Sequence, residues 1–160
     1  MIYTLLNNEV LAWSLIACGL AQLSKLLVKF IQKGELNFKV LFETGGMPSS
    51  HSALVTATAS GVGLKEGFDD PIFALAVTVA FIIMYDASGV RQEAGKIATV
   101  VNNLTNKSDI KIDKLLKESL GHTRIEVIIG SIIGPLIALP GIYFLGSPVK
   151  IYSLMNYLIN

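Results

Sequence analysis

Three short stretches of this chain hold residues whose types and spacing suit work on an anion. His51 lies in "GGMPSSHSA" (45–53), Asp86 and Arg91 in "YDASGVRQEAG" (85–95), and His122 with Glu126 in "LGHTRIEV" (120–127). The first stretch reads as a helix start at Ser49 and Ser50, where hydroxyls and open amides meet the positive end of a helix dipole and attract an anion. A histidine just inside that start stands beside the anion and titrates near neutral pH. Arg91 and a lysine add charge-assisted donors, and the anion that suits such a set is phosphate.

His122 and Glu126 are one helical turn apart, so the carboxylate can hold the imidazole in one tautomer and stabilise its protonated form. The same carboxylate is placed to close a capping box with Thr123, and the two roles compete for it. Gly121, next to the histidine, allows backbone to approach a ligand closely. Asp86 and Arg91 are five apart, which puts them on different faces of a regular helix, so they need not serve each other. Ser88, Arg91 and Gly95 do share a face. Lys25 and Lys29 lie inside an apolar run, where an ionisable group is a functional suspect, although both could simply snorkel to headgroups.

The elements that must position these groups are membrane helices. The chain has 160 residues, 52% of them apolar, and a mean hydropathy of +0.58, which is too apolar for an ordinary soluble domain. A helix needs roughly 20 mostly apolar residues to cross the bilayer. Four spans are expected, at about 10–31, 49–66, 71–88 and 124–145, giving an all-α, small polytopic helical bundle in one membrane domain. Gly61, Gly63, Gly130, Gly134 and Pro135 suit close packing between such helices. The segment 102–121 reads as a cytoplasmic loop with a short helix over "IDKLLKESLG", ended by Gly121. The tail 149–159 is short for a span and suits the interface.

The basic residues divide unevenly. Lys25, Lys29, Lys33, Lys39, Arg91, Lys96, Lys107, Lys111, Lys114, Lys117 and Arg124 fall on one side of the four spans, with only Lys65 and Lys150 on the other. The richer side should be cytoplasmic and the N-terminus outside. All the unusual residues gather at that richer side. Net charge is only +1, which gives no reason to expect nucleic acid. The N-terminal flank has no basic residue and the first span is not followed by a small-residue cleavage site, unlike a signal peptide. The single Cys18 excludes an intrachain disulfide. Two glycosylation sequons, at Asn103 and Asn106, would face the cytoplasm and read as chance.

"GGMPSSHSA", "YDASGVR" with "EAG" behind it, and "LGHTRIEVIIG", in that order, resemble the divergent branch of the type 2 phosphatidic acid phosphatases, relatives of the vanadium-dependent haloperoxidases. The resemblance covers about Val10 to Leu145. It implies a helical membrane phosphatase that needs no metal or other cofactor and acts on a lipid phosphate. By resemblance, His122 would be the nucleophile, oriented by Glu126, and His51 would protonate the leaving group. Ser49 and Ser50 would cradle phosphate, Arg91 would hold its oxygens, and Lys25 would stand for the lysine of the first motif, with Lys29, Asp86, Ser88 and Gly121 in support. The chain departs from the mainstream pattern at Gln32 and Lys33 in place of Arg-Pro, at Ser50 in place of glycine, and at Leu116 in place of an arginine that only Arg91 can replace.

Three function classes follow: a phosphatase acting on a lipid phosphate monoester or diphosphate, a catalytically silent phosphate- or lipid-binding membrane protein, and a small transporter or metal-dependent hydrolase built on His51, Asp86, His122 and Glu126. No close histidine pair favours a metal. Partners are membrane lipids and, through small-residue helix faces, a second copy of the chain.

Overall fold

The structure is a computed structural model that describes residues 7–34, 38–42, 45–107 and 114–159. Lys111, Ser108 of the second sequon and the side chains of Lys33 and Lys39 lie outside the described residues. Among the described residues six α-helices follow in order: α1 (Glu9–Lys33), α2 (Ser50–Glu66), α3 (Pro71–Ser88), α4 (Val90–Lys107), α5 (Arg124–Pro140) and α6 (Pro148–Ile159). A 3-10 turn (Phe38–Phe42) precedes α2 and a π-helical turn (Gly141–Leu145) extends α5. No strand occurs among the described residues.

Local chemistry sets the helix ends. Asn8 caps α1 by accepting from the Leu11 amide at 3.0 Å, and Gly34 closes it with a left-handed φ of 70° that glycine adopts without a steric penalty. Asp70 caps α3, with Pro71 in its first turn, where a missing N–H costs nothing. Thr123 opens α5 with a complete capping box.

The core is built from small residues. Ala17, Ala57 and Ala138 are fully buried with Ile142, and Val10, Trp13 and Ile137 pack around them, so α1, α2 and α5 meet on alanines. The large apolar side chains point the other way: Leu15, Leu23 and Leu27 on α1, Phe81 and Ile82 on α3, and Ile132 and Leu136 on α5 are exposed. A bundle in lipid has no hydrophobic drive to hide leucine and associates through close contact of small residues. This is an all-α membrane bundle.

Glu9–Gln32, Pro71–Lys107 and Arg124–Leu145 are long and apolar enough to cross a membrane. The second expected span, α2, has 17 residues, or about 25 Å of helix against a hydrocarbon layer of ~30 Å. Its packing against α1, α3 and α5 explains its run of Ala, Ser, Thr and Gly. The short helix expected at 112–121 is not formed where the chain is described: residues 115–120 have no regular secondary structure, and 102–107 instead continue α4.

The two ends of the bundle differ in chemistry. At one, Glu9 pairs with Lys65, Trp13 donates to the Gly146 carbonyl at 2.8 Å and Ser147 to Asn7 at 2.9 Å. The other carries the C-terminal half of α1, the start of α2, the end of α3 and the start of α5.

Candidate active site

The start of α2 is fastened to α5. The Ser49 amide donates to the Glu126 carbonyl at 3.0 Å, and a methyl group on Gly130 would run into the Ser49 carbonyl while one on Gly134 would strike the Ala53 carbonyl. Glycine at these two positions, one turn apart, lets the backbones touch. His51 and His122 are thereby brought side by side, their ring centroids 6.3 Å apart and their planes at 62°.

His122 is placed by α3 and α4 as well. Its amide donates to the Ala87 carbonyl at 2.8 Å. The irregular segment before it lies on the small-residue face of α4: buried Asn102 donates to the Leu116 carbonyl at 2.9 Å and to Glu118 Oε1 at 2.7 Å, and accepts from the Leu116 amide at 3.0 Å. A side chain at Gly95 would collide with the Glu118 carbonyl, and one at Gly121, whose φ is +78°, with the backbone of Gln92 and Arg91. The sequence reading of Gly121 as a helix end is corrected: it seats the chain on α4.

His122 is 2% exposed. Its Nδ1 lies 3.2 Å from Glu126 Oε2, and that same oxygen accepts from the Thr123 amide at 2.9 Å. The expected competition between capping and histidine orientation does not arise, because one carboxylate oxygen serves both. With Nδ1 committed to Glu126, Nε2 on the other edge of the ring has no partner among the described residues. Burial pushes the His122 pKa below its ordinary value, the Glu126 hydrogen bond opposes the shift, and the Lys25 charge adds to it. The imidazole is held neutral by its surroundings and kept basic enough by its carboxylate.

His51, Ile83, Asp86, Ala87, Arg91 and His122 line one cleft. Its free volume of about 10 Å³ is room for roughly one water, so a phosphate enters only if a wall gives way. Arg91 and His51 are exposed walls, the Arg91 side chain 51% exposed. Arg91 Nε donates to Asp86 Oδ2 at 2.5 Å, which corrects the expectation that these two residues would face apart. The five-residue rule holds only along an unbroken helix, and the chain turns at Gly89 (φ −112°, ψ −89°).

Lys25 is buried behind the cleft and donates to the Gly45 carbonyl at 3.1 Å, so it braces the loop before α2. Lys29, one turn on, is half-buried. Ser49 is fully buried and its hydroxyl is engaged with the amide and hydroxyl of Ser52, and Ser50 is buried beside it. Ser88 donates to the Met84 carbonyl. None of these five lines the cleft. Among the described residues, no three of His, Cys, Asp and Glu converge to hold a metal ion.

A family model described as the divergent PAP2 family matches residues 6–137, a stretch that contains every cleft residue. The chain belongs to the divergent PAP2 family. It is similar to the uncharacterized membrane protein YuiD of Bacillus subtilis (strain 168), 42% identical over 154 residues that cover 88% of this chain and 98% of YuiD. No solved structure matches the chain. In this divergent PAP2 member Leu116, where the mainstream pattern has an arginine, has its backbone held by Asn102, and Arg91 supplies the guanidinium at the cleft. Sequence reasoning missed Ile83 and Ala87 as cleft walls, and Asn102 as the clamp on the segment before His122. Asn102 alone carried a usable signal, a polar residue in line with Gly95 and Ala98 on one helix face.

Proposed function

We propose that the protein is a membrane phosphatase that removes phosphate from a lipid phosphate monoester or diphosphate. The observation that carries this reading is the state of His122, with Nδ1 fixed by Glu126 and Nε2 left over at a cleft shared with His51 and Arg91. Nε2 attacks phosphorus, the bond from phosphorus to the lipid oxygen breaks, and His51 gives that oxygen its proton. Glu126 stabilises the positive charge that grows on the His122 ring. In the second half, His51 takes a proton from water as water attacks the phosphohistidine, and inorganic phosphate leaves. Asp86 occupies only the Nε–H of Arg91, so the two terminal NH₂ groups remain for phosphate oxygens.

Within the membrane, the charge asymmetry supports an N-terminus outside and a cleft at the cytoplasmic face. Reporter fusions within 102–121 test this, and an external signal there overturns it.

The decisive assay is phosphate release by purified protein from phosphatidic acid, a polyprenyl diphosphate and an aryl phosphate, with and without chelator. Release that survives chelation supports the reading, as does a phosphoryl label that is lost in acid and retained in alkali. No release and no label from any substrate overturn it. Leu116, where the mainstream pattern has an arginine, favours one second reading, a membrane protein that binds phosphate without turning substrate over, which saturable phosphate binding without release would mark.

A further inference from the structure

We propose that α4 lies along the surface of the membrane that α3 crosses, with an apolar stripe sunk among the lipid headgroups. The helix has two opposed faces. Gly95, Ala98 and Asn102 are buried under the segment before His122. On the other side Val90, Ile97, Val100 and Leu104 are 58–63% exposed, and at 100° per residue they form a single stripe that only Glu93, in the first turn and paired with Lys96, interrupts.

Length and charge keep α4 out of the hydrocarbon layer. Pro71–Lys107 is 37 residues long, about 55 Å of helix where ~30 Å suffices. Its apolar half is α3, and the remainder carries Arg91, Glu93, Lys96 and Lys107. A strongly amphipathic helix of this kind settles in the interface plane, its apolar face ~5 to 10 Å into the headgroup boundary.

The stripe is also continuous with the lipid-facing surface. A groove lined by Phe81, Ile82, Tyr85, Asp86 and Val90 crosses Gly89 and joins the exposed face of α3 to that of α4. The same lipid that covers Phe81 and Ile82 therefore reaches Val90, whereas a second copy of the chain would have to displace it at the corner. Beside the stripe, Lys96 and Lys107 are exposed and suit anionic headgroups. Arg91 stands in the first turn of α4, so this placement sets the cleft at headgroup depth.

The test uses the full chain in phosphatidylcholine vesicles, with and without phosphatidylglycerol. Cys18→Ala removes the single native cysteine. Nitroxide labels are then placed through Ile97→Cys, Val100→Cys and Leu104→Cys on the stripe, Lys96→Cys and Asn103→Cys on the polar flank, and Phe81→Cys as a lipid-facing reference. Power saturation should show labels 97, 100 and 104 relaxed by oxygen, as at 81, and labels 96 and 103 relaxed by a water-soluble nickel chelate. Equal nickel access at stripe and flank overturns the proposal. Spin–spin broadening on the stripe that vanishes on dilution with unlabelled protein overturns it as well, in favour of a second copy. Circular dichroism confirms that each labelled protein keeps its helix content, and none of these readouts depends on phosphate turnover.

Discussion

Glu126 Oε2 sits 3.2 Å from His122 Nδ1 while it also accepts from the Thr123 amide, so the carboxylate ties the histidine to the first turn of α5. Glu126→Gln keeps an acceptor in place and removes the charge. Turnover should fall about 10-fold or more while stability drops by about 1 kcal/mol at most. Glu126→Ala should lose both the cap and the orientation. Kinetics beside thermal unfolding in detergent separate the two effects, and parallel losses in both variants would argue for capping alone.

The two histidines should respond differently to the leaving group. His122→Ala removes the atom that takes the phosphoryl group and should abolish turnover of every substrate. His51→Ala should cost ~10² to 10⁴-fold with a lipid alkoxide, the usual worth of positioned proton transfer, and far less with an aryl phosphate, whose leaving group is a stable anion. Equal losses for His51→Ala on the two substrates would remove the general-acid role.

The pH profile should follow His122. Only the neutral ring attacks, and burial lowers its pKa from 6.5, so kcat/KM should rise with pH through a midpoint below 6.5 and then flatten on that limb. Lys25→Met takes away a positive charge that disfavours the imidazolium and should move the midpoint up. Glu126→Gln takes away the favouring carboxylate and should move it down. Shifts in the same direction for both variants would contradict the electrostatic assignment.

Glycines on the helices should not be interchangeable. Gly130→Ala forces a methyl group onto the Ser49 carbonyl and should destabilise by about 1 to 3 kcal/mol or more, the usual range for overpacking. Gly19→Ala, with nothing within 4 Å of the added carbon, should be neutral or stabilise by up to ~1 kcal/mol. Unfolding of the two variants side by side checks the contrast.

What the sequence disclosed was local. Ser49 and Thr123 announce helix starts because a cap is a contact between residues three apart, and His122 with Glu126 is legible because one turn of helix brings them together. The Asp86–Arg91 pair was not legible, since it depends on the chain turning at Gly89. The same holds for Gly121, whose partner is the backbone of Gln92 on another element. The length of α2 was visible, but its central position was not, because a polar-leaning helix among three apolar ones is chosen by packing. The small-residue face of α4 at Gly95, Ala98 and Asn102 was missed, because Asn102 read as the start of a loop and nothing in the spacing says that the segment before His122 fills that face.

The hydrogen bond from the Ser49 amide to the Glu126 carbonyl has a mechanical consequence. It bolts the helix that carries His51 to the helix behind His122, at the level of both rings. Bilayers of different thickness tilt membrane helices, but a tilt shared by α2 and α5 leaves the gap between His51 and His122 unchanged. The spacing of the two histidines is thereby insulated from the elastic state of the lipid around it.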